Sequence, residues 1–202
     1  MRPRRVLRET GLPRLPRGDL PGRPLGPRRR TPLLRDGEGP VSPTTWRIAP
    51  AEACDAVAIN RVINAAYRVE DFFKTGDRTD VREVAQYLLT ETFLAARDEA
   101  DDIVGVVRVA IEGRRGHFGM LSVLPQAQGA GLGRALIEAA EAFARERGCE
   151  TMDLEVASPR TELPPLYRRF GYEVSGRAPW PEDALDELKF PADFIVMSKR
   201  LA

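Results

Sequence analysis

The pattern of apolar and polar residues predicts regular structure from about residue 44 onward. The segment TTWRIAPA is predicted to be a short strand, because Trp46 and Ile48 alternate with polar neighbours. An amphipathic helix follows, with apolar residues at helical spacing: Ala53, Val57, Val62, Ile63 and Ala66. After a break at Gly76, Asp80 is expected to cap a second helix that runs to about Leu89.

Three strands and one long helix are predicted for the middle of the chain. The strand segments are TFLAARD, IVGVVRVAIE and HFGMLSVLP, separated by the turns EADD and GRRG. The segment GLGRALIEAAEAFARERG then has a single apolar stripe and ends at Gly148, as expected for an amphipathic helix. The stripe consists of Leu132, Leu136, Ala139, Ala140 and Phe143.

The last part of the chain is predicted to add a strand, a short helix and two closing strands. ETMDLEVA is the strand, and ELPPLYRRFGY contains a helix that Leu166 and Phe170 should anchor and Gly171 should end. YEVSGRA and FIVMSKRL are the closing strands. The full order is one strand, two helices, three strands, helix, strand, helix and two strands, which predicts one α/β domain over residues 44–202.

Residues 1–43 have a different composition from the rest of the chain. They hold most of the prolines and almost no aromatic residues, so we expect a disordered arm. Residues 1–40 carry a charge of +7 and the remainder −6, within a net charge of +1. A basic arm that binds nucleic acid is one interpretation, and a translation start placed too early is another.

The remaining composition excludes several classes of protein. No apolar run approaches the roughly 20 residues of a membrane span. Cys54 and Cys149 have no CxxC partner, so we expect two small core residues in a reducing, cytoplasmic compartment. His117 is the only histidine, which excludes multi-histidine metal sites, and no metal is expected.

The clearest chemical signal is the segment MLSVLPQAQGAGLGRALIEAAEAFA, in which a strand leads through a glycine-rich turn into a helix. Such a helix start offers unpaired backbone N–H groups to a phosphate. The P-loop pattern fails because Arg134 follows Gly133, and the Rossmann pattern fails because Arg134 stands where its third glycine is required. The pattern that fits is Gln128-x-x-Gly131-x-Gly133.

This pattern, after a strand ending in VLP, resembles the pyrophosphate loop of the GNAT superfamily of N-acetyltransferases. The segment LYRRFGY resembles the later motif of that family, a short helix with a tyrosine that ends in glycine and an aromatic residue. The resemblance covers residues 44–202. It implies a mixed, mostly antiparallel sheet of about seven strands, with helices on both faces and a splay between the fourth and fifth strands.

The resemblance also implies acetyl-CoA as co-substrate. The pyrophosphate would lie on the amides of the loop, and the pantetheine arm along the backbone of Leu121 and Val123. The family often has an asparagine after the fifth strand, where this chain has Ser158 and Arg160. The residues expected to contact coenzyme A are Leu121, Val123, Gln128, Gly129, Ala130, Gly131, Leu132, Gly133, Arg134 and Ser158.

Transfer of acetyl to an amine needs a base and a proton donor. An amine with a pKa near 10.4 is roughly 0.1% neutral or less at pH 7, so a base should help by about 10²–10⁴-fold. The resemblance implies that Tyr167 protonates or stabilises the departing thiolate. Glu155 is the first candidate for the base, with Asp153, Glu112 and His117 as alternatives.

The acceptor is less defined than the cofactor. The resemblance implies that the loop after the first helix borders the acceptor, so Glu70 and Asp71 there would bind a cationic amine, or else be ordinary charges at a helix end. Phe72 and Phe73 would line the same pocket or pack in the core. The segment PWPEDALDELKFPAD would narrow the cleft, which favours a small-molecule amine over a protein terminus or lysine. A non-catalytic CoA-binding module is the alternative from another class. Nucleic acid is disfavoured as a partner, and a homodimer remains open.

Overall fold

The computed structural model describes residues 45–201, so the predicted disordered arm over residues 1–43 lies outside the described residues. Within this range, four short 3-10 helices, at 53–55, 68–70, 125–127 and 182–187, connect the longer elements. The order of strands and helices agrees with the predicted order. The strands are β1 (Arg47–Pro50), β2 (Thr92–Arg97), β3 (Ile103–Glu112), β4 (Arg115–Val123), β5 (Thr151–Ala157), β6 (Glu173–Pro179) and β7 (Asp193–Arg200). The α-helices are α1 (Ala56–Tyr67), α2 (Val81–Thr90), α3 (Leu132–Glu146) and α4 (Leu163–Arg168).

The seven strands form one sheet in the order β1-β2-β3-β4-β5-β7-β6. Five of the six neighbouring pairs are antiparallel, and β4 and β5 form the parallel pair. This arrangement confirms the predicted fold class, a mostly antiparallel mixed sheet.

The parallel pair is joined over only part of its length. Residues 115–117 of β4 pair with residues 151–153 of β5, and His117 opposite Asp153 is the last paired row. Beyond that row β4 continues to Val123 and β5 to Ala157 without pairing to each other. The two strands therefore diverge and leave a slot, as predicted for the fourth and fifth strands.

Helices cover both faces of the sheet. On one face, α3 and α4 pack on Phe118, Met152 and Leu154, together with Tyr167 and Tyr172. On the other face, α1 and α2 enclose a second core built from Ala56, Ile59, Val62, Ile63, Val84, Phe93, Ala95, Ile103, Val106, Met120 and Leu124. Within residues 45–201, no helix has the length and apolar character that a membrane crossing needs.

The helix boundaries follow local capping chemistry. Asp80 caps α2 as predicted, since its carboxylate accepts hydrogen bonds from the amides of Arg82 and Glu83. The stripe of α3 is confirmed, and Gly148 ends that helix with a φ of +79°.

Three predictions about single residues were wrong. Val57 is 67% exposed, because α1 turns Ala56 and Ile59 toward the core instead. Cys54 is exposed, whereas Cys149 is buried as expected. Leu166 is exposed and does not anchor α4, since the helix buries Pro164 and Tyr167.

Candidate active site

The glycine-rich turn lies at the end of β4 and leads directly into α3. Gly129 and Gly131 have φ values of +83° and +89°, in the left-handed region that favours glycine. A Cβ atom on either would meet no atom within 4 Å, so the surface of the turn is open. The first amides of α3 have no carbonyl partner within the helix and can bind an anion.

Gln128 fixes the turn against the strand. Its side-chain amide Nε2 donates to the carbonyl of Val123 at 3.0 Å. The amide of Leu124 bonds instead to Val104 of β3, at 2.9 Å. Because neighbouring residues of a strand direct their backbone groups to opposite sides, those of Val123 and Leu121 face the slot. The predicted contact of both residues with the pantetheine arm stays a prediction.

A bulge in β4 lies inside the slot. Arg108 of β3 pairs with Gly119, but Val106 pairs with Ser122, so β4 has one residue more than β3 between these rows. Met120 has a φ of +50° at this point. Such a bulge sharpens the local twist and turns β4 away from β5.

Tyr167 lies on α4 beside the slot. Its ring contacts Phe118 and Tyr172, with centroids 6.0 and 6.2 Å away. Burial, and then the nearby Tyr67, raises the pKa of Tyr167 above its usual value near 10. The phenol therefore stays protonated at neutral pH, as a proton donor must.

Tyr67, at the end of α1, faces the same region from the other side of the sheet. It is close enough to Tyr167 and Glu70 for electrostatic interaction, and burial raises its pKa too. Tyr67 was not among the residues predicted from the sequence, because it ends an amphipathic helix and resembles an ordinary core residue.

An ion pair joins the segment after β5 to the segment after α1. Arg160, three residues after β5, donates from Nη1 to Oε1 of Glu70 at 3.0 Å and from Nε to Oε1 of Glu162 at 2.6 Å. Glu70 is 7% exposed, and burial raises its pKa despite the opposing effect of Arg160. The carboxylate predicted to bind an amine is thus already held by an arginine of this chain.

The candidate bases occupy different levels of the slot. Asp153 and Glu155 point away from α3, because their neighbours Met152, Leu154 and Val156 are packed against it. Asp153, in the last paired row, accepts from Ser198 at 2.5 Å and also pairs with Arg115. Glu155 is exposed two residues further toward the open end. Glu112 lies at the closed end, in the hairpin where it pairs with Arg115.

His117 lies at the point of divergence, on the same face as Asp153. Its Cε1 atom and the guanidinium of Arg108 are the nearest neighbours of a Cβ built on Gly119, at 3.6 and 3.7 Å. Burial and then Arg108 lower the pKa of His117 from 6.5 to about 4, although Asp153 opposes the shift. The imidazole is therefore neutral at physiological pH.

Ser158 follows β5 and closes the sheet toward β7. Its hydroxyl accepts from the amide of Asp193 at 3.2 Å, and its own amide donates to the carbonyl of Asp193 at 2.8 Å. The predicted contact of Ser158 with coenzyme A stays a prediction.

The α1–α2 loop (residues 68–80) is joined to the β6–β7 segment (residues 180–192). The amide of Thr75 donates to Glu187 and that of Lys189 to Phe73, both at 2.8 Å. Lys74 and Leu188 form an antiparallel bridge, and Lys74 is also ion-paired with Glu187 at 3.4 Å. The two segments make one continuous wall beside the slot.

Aromatic side chains fill the inside of this wall. Phe73 is fully buried and packs against Trp180 with ring centroids 6.1 Å apart. Trp180 in turn stacks on Phe194 at 4.5 Å. Phe72 is mostly exposed, and so is Asp71, which pairs with Arg68 at 3.7 Å. Of the two phenylalanines, Phe73 therefore belongs to the packed interior.

Comparison with known proteins shows which family has this architecture. Residues 63–172 match the model of the Acetyltransferase (GNAT) family. A mycothiol acetyltransferase from Propionibacterium freudenreichii subsp. shermanii is 42% identical over 85 residues, which are 40% of this chain and 27% of that protein. Another, from Clavibacter sepedonicus, is 30% identical over 121 residues, 60% of this chain and 40% of that protein. The chain thus spans less than half of the length of either relative.

Solved structures share the fold. The ribosomal-protein-S18-alanine N-acetyltransferase of Escherichia coli aligns with a TM-score of 0.63 at 18% identity, over 78% of this chain and 95% of its own. Nourseothricin acetyltransferase aligns with a TM-score of 0.60 at 23% identity, over 79% and 100%. A Salmonella typhimurium protein solved with acetyl-CoA aligns with a TM-score of 0.60 at 22% identity, over 79% and 95%. With its splayed parallel pair and its glycine-rich turn before α3, this chain belongs to the GNAT family of acetyltransferases.

Proposed function

We propose that this protein transfers an acetyl group from acetyl-CoA to a primary amine of a small molecule, directly, within a ternary complex. The open turn from Gln128 to Arg134 suits a pyrophosphate, because it offers backbone amides and no obstructing side chain at Gly129 or Gly131. The backbone of Leu121 and Val123 suits the pantetheine arm, since it faces the slot. The bound thioester supplies the acetyl group.

In the proposed reaction, the residues of the slot position the reactants and move two protons. Glu155 takes a proton from the acceptor amine, directly or through a water molecule, and the amine nitrogen forms a bond to the acetyl carbon. As the carbon–sulfur bond breaks, Tyr167 donates a proton to the sulfur, and the proton held by Glu155 then restores the phenol through solvent. Holding both reactants in line contributes up to about 7–11 kcal/mol.

The observation that favours a small acceptor is the joined wall beside the slot. An extended peptide commonly binds by adding a strand to an exposed backbone edge. Here the backbone groups of residues 73–75 are bonded to residues 187–189 of the same chain. These backbone groups are therefore not available to pair with an extended peptide.

A free-thiol release assay with acetyl-CoA tests the proposal. The panel comprises amino acids, polyamines, aminoglycosides, short peptides and the acceptor of mycothiol acetyltransferases, the enzymes after which both curated relatives are named. We expect release with a small amine. Faster release with peptides would favour a protein N-acetyltransferase, and acetyl-CoA binding without release would favour a non-catalytic module.

A further inference from the structure

Arg78, in the α1–α2 loop, differs from the other cations around the slot. Arg68 is paired with Asp77 at 3.1 Å, Lys74 with Glu187 at 3.4 Å and Arg160 with Glu70 at 3.0 Å. Among residues 45–201, no carboxylate oxygen lies within 4.0 Å of the Arg78 guanidinium. Arg78 is nonetheless partly buried.

The carboxylates near Arg78 are held by other groups. Glu70 and Glu83 are close enough to interact with it electrostatically. Glu70, however, is bonded to Arg160. Glu83 accepts from the hydroxyls of Thr79 at 2.6 Å and Tyr87 at 3.2 Å. Among residues 45–201, the guanidinium thus has no direct carboxylate acceptor, and its side-chain hydrogen bond goes to Tyr67. One phenol oxygen cannot accept from all five N–H donors, so the others remain available to a ligand.

The backbone fixes Arg78 in this position. Asn64 of α1 accepts from the amides of Arg78 at 2.8 Å and Thr79 at 3.2 Å, and its side-chain amide donates to the carbonyl of Thr79 at 2.9 Å. The guanidinium lies over the ring of Tyr67, 5.5 Å from its centroid. A cation held by backbone bonds and an aromatic face loses little freedom when it binds a ligand.

Arg78 is also near the proposed chemistry. The ring of Tyr67 lies beneath its guanidinium, and Tyr67 interacts electrostatically with Tyr167, the proposed proton donor. The loop that carries Arg78 forms the wall with the β6–β7 segment. An anion bound by Arg78 would lie beside Tyr67, which interacts electrostatically with Tyr167.

We propose that Arg78 binds a carboxylate of the acceptor, so that the acceptor is an amino acid or a related amine that carries a carboxylate. Arginine suits this role because its planar fork matches a carboxylate in a bidentate manner. The inference rests on the proposed function and adds the substrate class. In this proposal a cationic residue of the protein recognises a carboxylate of the acceptor. The prediction from Glu70 and Asp71 was instead that acidic residues recognise its cationic amine.

Matched pairs of acceptors and variants test this assignment. Each standard amino acid is compared with the amine that lacks only its α-carboxylate, such as lysine with cadaverine or methionine with 3-(methylthio)propylamine. Arg78→Gln is compared with Arg68→Gln, which changes an exposed arginine of the same loop. Arg78→Lys serves as a folded variant that keeps the charge but loses the fork.

For the wild type, we expect the amino acid to exceed its decarboxylated partner in kcat/KM. In Arg78→Gln that advantage should fall by roughly 10- to 100-fold, the value of a hydrogen bond to a charged group. The KM for acetyl-CoA should not change, and Arg68→Gln should behave as the wild type. The inference would be overturned if the wild type had equal kcat/KM values for the two members of each pair. It would also be overturned if Arg78→Gln lowered kcat/KM equally for both members.

Calorimetry separates this inference from the proposed function. Amino acids are titrated into protein saturated with coenzyme A, which needs no turnover. Amino-acid binding that is present in the wild type and lost in Arg78→Gln would support the carboxylate site. If, in addition, no amine released thiol, only the proposed function would be rejected. Thiol release from decarboxylated amines alone, with no binding of any amino acid, would reject the carboxylate site and keep the acetyltransferase.

Discussion

The hydroxyl of Tyr172 donates a 2.9 Å hydrogen bond to Oε1 of Glu141 in the buried core between α3 and the turn after α4. The same carboxylate accepts from Lys199 of β7 at 2.7 and 2.8 Å and from Arg145 at 3.1 Å. Burial, and then Glu141, raises the pKa of Tyr172, so the phenol remains a donor. Glu141 thus ties together α3, the end of the LYRRFGY segment and β7.

Replacing Tyr172 by Phe should lower the free energy of unfolding by about 1–3 kcal/mol, because a buried acceptor loses one partner. Urea denaturation measures the change. Glu138→Gln, on the same helix, is the matched control: its pair with Arg134 is exposed and should contribute no more than about 1 kcal/mol. Equal effects of the two variants would show that the buried network does not stabilise the fold.

Gly131→Glu should abolish coenzyme A binding in a folded protein, because it introduces a negative charge where backbone amides meet a pyrophosphate. Gly148→Glu is the control, since Gly148 also has a positive φ, +79°, and open space around its Cα, but lies at the other end of α3. Both variants should be destabilised similarly by the left-handed backbone. Calorimetric titration with acetyl-CoA should separate them, and wild-type affinity in Gly131→Glu would reject the pyrophosphate loop.

Tyr167→Phe should lower turnover by about 10-fold or more while acetyl-CoA affinity changes little, since only the proton donor is removed. Tyr172→Phe removes a neighbouring buried hydroxyl that points to Glu141, and it should reduce stability but not turnover. Steady-state kinetics on the amine identified by the thiol assay gives both values. Unchanged turnover in Tyr167→Phe, in a reaction limited by chemistry, would remove Tyr167 from the mechanism.

His117 should make stability depend on pH between about 4 and 6.5. Its pKa is lowered from 6.5 to about 4 in the folded protein, so in this window the unfolded chain binds a proton that the folded protein does not. The stabilisation is present above pH 6.5 and is lost as the pH falls through the window, by up to roughly 3 kcal/mol.

Urea denaturation of the wild type and His117→Gln at several pH values tests this. The difference in the free energy of unfolding between the two proteins cancels the contribution of the carboxylates. As the pH falls, this difference should increasingly favour the variant. Parallel curves would mean that His117 titrates alike in both states.

The order of elements and the glycine-rich turn could be predicted from the sequence because each rests on local chemistry. Periodicity fixes a helix such as α3, and Gly131 is required where the backbone adopts a φ of +89°. The position of a single residue on a short helix is less constrained. Val57 and Leu166 had the correct character and spacing, but tertiary packing buries their neighbours Ala56 and Tyr167 instead.

Residues that act through long-range partners could not be predicted in this way. Glu141 occupies a position on α3 where the pattern predicts a polar, exposed group, yet it is buried because Tyr172 and Lys199 supply its hydrogen bonds. The ion pair of Glu70 and Arg160 spans 90 positions of sequence. Arg78 stands in a loop that also contains Asp71 and Asp77, so only the structure shows which cation has no carboxylate partner among residues 45–201.

The divergence of β4 and β5 leaves two backbone edges in the middle of the sheet that no other strand within residues 45–201 satisfies. A ligand that fills this gap acts as an eighth strand, one that the chain does not encode. Because such a ligand binds only the folded protein, at 100 times its dissociation constant it adds about 2.7 kcal/mol to the stability. The stability of the folded protein would then depend on the concentration of this ligand.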